Sequence, residues 1–182
     1  HGDASVYGAL VNMVQDFTMR VPLIDGHGSF GSIDGDGAAA MRYTEARLGP
    51  AAMELLQDLD PEILPDHYGR NFDESALEPS LLPARFPNIL INGGTGIAVG
   101  MQTTILPHNP AEIIDLCIWR ASNPKATVEK MADRITGPDF PTGATVIADE
   151  GLRQSYLTGK GKVTALAKAH IEQLQGNREK IV

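Results

Sequence analysis

Two adjacent residues have side chains that could do chemistry together, Arg42 and Tyr43, and they follow a segment rich in glycine and alanine. A phenol has an ordinary pKa of about 10, so at neutral pH it acts as a nucleophile only beside a positive charge or a base. Arg42 supplies that charge, and a planar guanidinium can grip phosphate oxygens. The pair therefore suits attack on a phosphodiester. Taken alone, such a dipeptide is more often a core-capping tyrosine beside a surface arginine.

Residues 1–15 are predicted to form a helix. Four apolar residues recur at helical spacing on one face, Val6, Leu10, Met13 and Val14. Asp3 is the predicted N-cap, because its carboxylate can accept the free amides of the first turn. The next segment predicts a β-hairpin, in which residues 21–24 form a strand and residues 30–33 return beside it after a glycine-rich turn. A helix followed by such a hairpin is the pattern of a winged helix.

A second helix is predicted for residues 44–59. Its buried face consists of four leucines and an alanine at helical spacing, Leu48, Ala52, Leu55, Leu56 and Leu59. Tyr43 would then lie at the entrance of a rigid element, directly after a flexible segment. This arrangement would present the phenol of Tyr43 to a partner molecule.

The middle of the chain contains the expected domain boundary. A proline-rich stretch over residues 60–87 predicts an irregular connection. The run Ile89-Leu90-Ile91 predicts a short strand, and residues 92–100 contain four glycines, which let a backbone approach a ligand closely. Because these glycines lack the spacing of nucleotide-binding loops, we do not expect a nucleotide here.

The second half of the chain alternates between helical and extended patterns, which together with the first half predicts an α+β fold. The predicted helices cover residues 110–121, 127–135 and 150–158, and the predicted strands cover 144–148 and 163–171. Gln175-Gly176-Asn177 predicts a hairpin turn, after which residues 181–182 return.

The composition is that of a globular protein, with 182 residues and a formal net charge of −8. Because DNA affinity comes largely from neutralising phosphates, this charge argues against nucleic acid as a partner of the chain acting alone. The single cysteine, Cys117, excludes an intrachain disulfide and a cysteine-built zinc site, which fits a reducing cytosol. No apolar run approaches the roughly 20 residues that cross a bilayer. We therefore expect a cytoplasmic protein without a membrane segment.

The chain resembles the breakage-reunion subunit of bacterial type IIA DNA topoisomerases, which is the A-type subunit of DNA gyrase or of topoisomerase IV. The resemblance covers essentially the whole chain and implies that it is an internal fragment. Its blocks occur in the family's order: His1-Gly2-Asp3, Asp25-Gly26-His27-Gly28-Ser29-Phe30-Gly31-Ser32, Ala39-Ala40-Met41-Arg42-Tyr43-Thr44-Glu45, Leu82-Pro83-Ala84-Arg85-Phe86-Pro87-Asn88, Asn92-Gly93, Gly96-Ile97-Ala98-Val99-Gly100-Met101, Pro107-His108-Asn109 and Gly137-Pro138-Asp139-Phe140-Pro141-Thr142.

The resemblance implies roles for four residues. Tyr43 is expected to attack a DNA phosphodiester, which leaves a 5′-phosphotyrosyl link and a free 3′-hydroxyl. Arg42 is expected to stabilise the transition state, and His1 to assist at the scissile phosphate. Ile97 is expected to wedge between base pairs and bend the DNA, since an apolar side chain on a flexible loop can unstack a base step.

The resemblance also implies a domain arrangement and partners. Residues 1–80 would be the C-terminal part of a winged-helix cleavage domain, and residues 81–182 the beginning of a tower domain. Double-stranded DNA would bind largely to a basic surface upstream of His1. A B-type subunit would hold the catalytic Mg²⁺ and bind ATP in an A2B2 heterotetramer, and the A-type subunits would dimerise through regions outside this chain. The expected location is the bacterial cytoplasm, in association with the nucleoid, and the fragment alone is expected to be inactive.

Two positions depart from many members of the family, which have a serine and an acidic residue where this chain has Ala4 and Gly8. In the family those two side chains anchor the water–metal bridge to fluoroquinolones. Neither Ala4 nor Gly8 offers a side-chain oxygen. We therefore expect weakened quinolone poisoning with intact cleavage chemistry.

Two other functions are compatible with parts of the sequence. The first is a winged-helix module that binds DNA without chemistry, in which Arg42 and Tyr43 only touch phosphate. The second is an unrelated acidic enzyme that uses His27, His67 and Asp66 as acid–base groups, although their placement in turns shows no triad spacing.

Overall fold

The computed structural model describes all 182 residues, which form two compact units, His1–Ile105 and Leu106–Val182. Both units mix helices with strands, which confirms the predicted α+β class. Every sheet consists of two antiparallel strands. The winged-helix and tower assignments for residues 1–80 and 81–182 stay predictions. None of the helices has the length and apolar character needed to cross a membrane.

The first unit contains three helices, six strands and two short 3₁₀ turns. The helices are α1 (Asp3–Val14), α2 (Pro50–Leu56) and α3 (Asn88–Ile91). The strands are β1 (Ile24–His27), β2 (Glu45–Leu48), β3 (Tyr68–Arg70), β4 (Leu77–Pro79), β5 (Gly94–Ala98) and β6 (Met101–Ile105), and the 3₁₀ turns are Met41–Tyr43 and Pro65–His67. The side chains of the unit's core are Phe30, Ala52, Leu55 and Ile91.

Helix α1 confirms the predicted helix, with two corrections. Its N-cap is Gly2, which has no side chain to cap with, whereas the Asp3 carboxylate accepts from the neighbouring amide of Ala4. The predicted apolar face is wrong at Val6, which is 60% exposed. The half-buried face instead includes four residues at helical spacing, Tyr7, Leu10, Val11 and Val14.

The predicted pairing of β1 is wrong. Its partner is β2, in a register that places Asp25 opposite Arg47, and not residues 30–33. The segment after the turn stays irregular because Phe30 is buried in the core and its carbonyl accepts a 2.8 Å hydrogen bond from Gln15 Nε2. Gly31 follows with φ +91°, which is incompatible with a regular strand.

The predicted helix over residues 44–59 is half wrong, because its first part is strand β2. The Gly49 amide donates to the Leu23 carbonyl at 2.8 Å, which continues the contact between the two strands. Helix α2 begins only at Pro50. A proline at this position costs the helix no hydrogen bond, because the amide of the first helical residue has no intrahelical partner. Leu48 therefore lies on an exposed strand instead of a helix face.

The predicted strand at residues 89–91 is also wrong, since these residues form the short helix α3. The helix buries Ile91 and is followed by its C-cap residue Asn92. The side-chain amide of Asn92 makes two hydrogen bonds with the backbone of Val21. Asn92 Oδ1 accepts from the Val21 amide at 2.7 Å, and Asn92 Nδ2 donates to the Val21 carbonyl at 3.0 Å. This amide ties the base of the β5–β6 hairpin to the segment after α1, a contact that spans 71 residues.

The second unit confirms most of its predicted elements. Its helices are α4 (Pro110–Ser122), α5 (Val128–Ala132) and α6 (Glu150–Thr158), and its strands are β7 (Thr145–Val146), β8 (Ala165–Leu166), β9 (Ile171–Leu174) and β10 (Arg178–Ile181). The strand predicted over residues 163–171 is replaced by β8 and the beginning of β9. Gln175–Asn177 is part of the predicted hairpin turn between β9 and β10.

The interior of the second unit combines apolar and polar groups. Ile113 and Leu152 are buried, and so is the imidazole of His108, whose Nε2 lies 2.8 Å from the hydroxyl of Tyr156. Burial, followed by the negative charge of Glu112, raises the pKa of Tyr156 to about 12. The phenol therefore remains protonated at physiological pH and can share a hydrogen bond with His108.

The amide of Asn92 generates a prediction about stability. We expect Asn92→Ala to lower the free energy of unfolding by about 1–3 kcal/mol, because it leaves both polar groups of Val21 unpaired in a partly buried place. Chemical denaturation measures this difference. Gln57→Ala is the matched control, since Gln57 is exposed and makes no side-chain hydrogen bond, and should change stability by less than about 0.5 kcal/mol. An equal effect of the two substitutions would contradict the role given to Asn92.

Candidate active site

Arg42 and Tyr43 lie on the surface of the first unit. Both belong to the 3₁₀ turn Met41–Tyr43, and the side chain of Tyr43 is 68% exposed. The guanidinium carbon of Arg42 lies 4.6 Å from the centre of the Tyr43 ring, which is a cation–π contact. The structure therefore brings the predicted nucleophile and the predicted positive charge into direct contact, with the phenol open to a large partner.

The backbone of this turn is held by hydrogen bonds within the turn and by the strand that follows it. The Tyr43 amide donates to the Ala40 carbonyl at 2.9 Å, and the Thr44 amide donates to the Met41 carbonyl at 3.3 Å. Strand β2 begins at the next residue, where Glu45 pairs with His27. The turn is thus continuous with the β1–β2 pair, which limits its movement on that side.

Gly28 allows the segment after β1 to pass close to the backbone of Tyr43 and Thr44. It has φ +110°, and a Cβ added at this position would lie 3.0 Å from the Tyr43 carbonyl oxygen and 3.3 Å from Thr44 Cγ2. Most real Cβ contacts are longer, and a side chain would also strain this backbone conformation. A residue without a side chain is therefore needed directly after β1, where the chain passes the Met41–Tyr43 turn.

Tyr7 provides a second support that the sequence analysis missed, as it missed Gly28. The hydroxyl oxygen of Tyr7 lies 2.8 Å from the Ala39 carbonyl oxygen and 2.9 Å from Thr44 Oγ1. One pattern in the sequence could have found it. Tyr7 lies at helical spacing with Leu10, Val11 and Val14, and a tyrosine on a packed helix face needs a partner for its hydroxyl.

The other residues implied by the family resemblance lie on other elements of the same unit. His1 is exposed and precedes helix α1, and Ala4 and Gly8 are exposed one turn apart on that helix. Nothing lies within 4 Å of a Cβ built on Gly8. The two family drug-contact positions therefore share one open surface of α1.

Ile97 lies near the tip of the β5–β6 hairpin. The sequence analysis predicted a strand at residues 89–91 and did not predict this hairpin. Ala98 pairs with Met101, so a two-residue turn connects the strands, and Gly100 takes the positive φ of +74°. Ile97 is 84% exposed and Val99 and Met101 are 104% and 71% exposed. The hairpin therefore projects an exposed apolar tip.

The alternative set of acid–base groups is not assembled in the structure. His27 lies on β1, whereas Asp66 and His67 lie in the 3₁₀ turn Pro65–His67, and no side-chain hydrogen bond joins them. The chain also contains no group of three or more His, Cys, Asp or Glu side chains that could hold a metal ion.

The family model for the DNA gyrase/topoisomerase IV A-type subunit matches residues 1–182, which is the whole chain. The chain belongs to this family. It is 50% identical over 182 residues to the DNA gyrase A-type subunit of Staphylococcus epidermidis, 49% to that of Clostridium acetobutylicum and 50% to that of Helicobacter pylori.

Each of these alignments covers 100% of this chain but only 20%, 22% and 22% of the respective gyrase polypeptide. The chain therefore spans about a fifth of the length of these relatives. The family model covers the turn with Arg42 and Tyr43, the start of α1 and the β5–β6 hairpin.

The close approach at Gly28 generates a prediction about the turn. We expect Gly28→Ala to destabilise the local fold by about 1–3 kcal/mol, because alanine is strained at this φ and its methyl group presses on the Tyr43 carbonyl. Hydrogen–deuterium exchange of the amides of residues 39–45 should accelerate by about tenfold or more. Gly69→Ala, at a position with open space around the added Cβ, should leave these amides unchanged. Unaltered exchange in Gly28→Ala would refute the supporting role of this glycine.

Proposed function

We propose that this chain is the part of a type IIA DNA topoisomerase breakage-reunion subunit that carries the nucleophile. The observation that carries the proposal is the exposed Tyr43 phenol with the Arg42 guanidinium against its ring. It is supported by membership in the DNA gyrase/topoisomerase IV family of A-type subunits over the whole chain. The complete protein would break both strands of a duplex transiently and change DNA supercoiling or separate linked DNA molecules.

The reaction is a transesterification in which Tyr43 loses its phenolic proton and its oxygen bonds to the phosphorus. The bond from phosphorus to the 3′-oxygen breaks, and that oxygen leaves with the bonding electrons and is protonated. Arg42 binds the phosphoryl oxygens as charge develops on them. One phosphoester bond replaces another and no water is consumed, so the 5′-phosphotyrosyl link can return the DNA strand in the reverse reaction.

His1 and Ile97 act on the DNA together with Tyr43 and Arg42. His1 assists at the scissile phosphate, where an imidazole can donate a hydrogen bond to a phosphoryl oxygen. Ile97 enters the base stack from the exposed tip of the β5–β6 hairpin, and the few kcal/mol spent on unstacking are offset by contacts with the bent duplex. These roles follow the family resemblance and the exposure of both residues.

The remaining components of the reaction lie outside this chain. A B-type subunit supplies the acidic residues for Mg²⁺ and the ATP site, in an A2B2 assembly in which other parts of the A-type subunit form the dimer contacts. The net charge of −8 is then compensated by basic segments elsewhere in the A-type subunit, which satisfies the need for phosphate neutralisation.

Tyr43→Phe tests the proposal in the complete A-type subunit, assembled with its B-type partner, Mg²⁺ and supercoiled DNA. Removing the only attacking oxygen should lower the yield of covalent protein–DNA complex by on the order of 10⁴-fold or more, while DNA affinity stays within about twofold. Denaturing gels measure the covalent complex, and equilibrium binding measures affinity.

The matched control is Tyr68→Phe, because Tyr68 lies on strand β3 away from the Met41–Tyr43 turn and its hydroxyl makes no hydrogen bond. It should cleave like the unmodified enzyme. Covalent cleavage that persists in Tyr43→Phe would reject Tyr43 as the nucleophile. An unmodified assembly that binds DNA without forming a covalent complex would favour the non-catalytic winged-helix module.

The open surface at Ala4 and Gly8 generates a further prediction about quinolones. The double variant Ala4→Ser, Gly8→Asp restores two side-chain oxygens where the structure has room for them. Drug-stabilised cleavage should then occur at a quinolone concentration about tenfold lower, the factor for one regained contact of about 1.4 kcal/mol.

Ala9→Ser is the control for this test, because it adds a hydroxyl at another exposed position of α1. Gly8→Ala separates the change in helix propensity from the new carboxylate. An unchanged drug response of the double variant would exclude this role for the two positions.

A further inference from the structure

The hydroxyl of Tyr7 bridges the two ends of the Met41–Tyr43 turn, which carries the proposed nucleophile. A carbonyl oxygen can only accept, so Tyr7 donates its proton to Ala39, 2.8 Å away. The 2.9 Å contact with Thr44 Oγ1 is then a hydrogen bond that Thr44 donates to Tyr7. Thr44 Oγ1 also lies 3.3 Å from the Met41 carbonyl, which is the weaker of its two possible acceptors.

These two bonds enclose the nucleophile. Ala39 precedes the turn and Thr44 follows it, so one phenolic oxygen fixes the distance between the two ends of the segment that contains Tyr43. Within the segment, only the amides of Tyr43 and Thr44 make backbone hydrogen bonds across the turn. Since 3₁₀ hydrogen bonds have poor geometry, the external bridge contributes a large share of the constraint on this backbone.

The side chain of Tyr43 cannot supply the missing constraint. It is 68% exposed, and its contact partner is the guanidinium of Arg42, which is itself exposed. A side chain that must reach a phosphate cannot also be packed into the core. Its position is therefore set by the backbone of the turn, and through that backbone by Tyr7.

We propose that Tyr7 is a positioning residue, which holds the Met41–Tyr43 turn in place so that the Tyr43 oxygen lies where it can attack. This inference rests on the proposed function. Tyr7 belongs to α1, the helix that follows His1, and so it connects the segment that begins with His1 to the turn that carries the nucleophile. A displacement of about 1 Å at a reacting atom can lower a rate by about 100-fold, which makes such a connection matter for catalysis.

The test is Tyr7→Phe in the complete A-type subunit with its B-type partner, Mg²⁺ and DNA. Phenylalanine keeps the aromatic ring on the half-buried face of α1 and removes only the bridging oxygen. We expect single-turnover cleavage and religation to slow together by about 10–100-fold, with DNA affinity unchanged within about twofold. The two rates should fall together because the same transition state serves both directions.

Thr44 provides a second and independent variant. Thr44→Val removes the donor and keeps the branched shape, so it should also slow both rates, whereas Thr44→Ser retains the hydroxyl and should restore them. In the double variant, Thr44→Val should add little to Tyr7→Phe, because both remove the same hydrogen bond. Tyr68→Phe is the control for loss of a tyrosine hydroxyl outside the turn, and should keep both rates.

The outcomes separate this inference from the proposed function. If Tyr43→Phe still forms the covalent complex, the proposed function fails whatever Tyr7 does. If Tyr43→Phe abolishes the complex and Tyr7→Phe cleaves and religates at normal rates, the positioning role alone is wrong. A loss of activity in Tyr7→Phe that Thr44→Val does not share, or that is matched by an equal loss of DNA affinity, would also overturn it in favour of a general structural role.

Discussion

The structure around Tyr43 depends on one constraint, which is that a side chain exposed to solvent has little core packing to fix it and has to be held through its backbone. The side chain of Tyr43 is 68% exposed, and its ring lies against the neighbouring guanidinium of Arg42. Three features compensate for this exposure: the hydroxyl bridge from Tyr7, the close passage of Gly28 and the start of strand β2 at Glu45. These contacts fall on Ala39, the Tyr43 carbonyl, Thr44 and Glu45, so the position of the turn is set without covering the Tyr43 hydroxyl.

These supports in turn require the rest of the first unit. Tyr7 is useful only if α1 is itself fixed, and α1 packs on β1, the strand that pairs with β2. The buried apolar set of the unit is small and consists of Phe30, Ala52, Leu55 and Ile91. Specific polar contacts therefore contribute to its geometry, among them the Asn92 amide on Val21 and the Asp25–Arg47 pair across β1 and β2. The exposed ion pair adds little stability on its own, but it favours the observed register.

Local chemistry explains which elements could be predicted from the sequence. Helices α4 and α6 are predictable because Asn109 and Asp149 cap their first amides, and Gly159 ends α6 with a positive φ. The strand at residues 45–48 and the helix at 88–91 escape prediction because their conformations depend on partners far away in the sequence, β1 and Val21. The Arg42–Tyr43 pair and Ile97 could be singled out by residue type and resemblance. The helical pattern could show that the Tyr7 hydroxyl needs a partner, but which atoms it contacts, and the close approach at Gly28, appear only after folding.

The distribution of charge and metal ligands has a consequence for how the proposed reaction is controlled. In this chain the Tyr43 ring lies against the Arg42 guanidinium, no group of three or more His, Cys, Asp or Glu side chains could hold a metal ion, and the net charge of −8 is unfavourable for binding DNA. Under the proposed function, cleavage then requires basic surface and metal ligands from other segments and from a partner. A break in DNA would form only within the complete assembly, where the partners that hold the two cut ends are already in place.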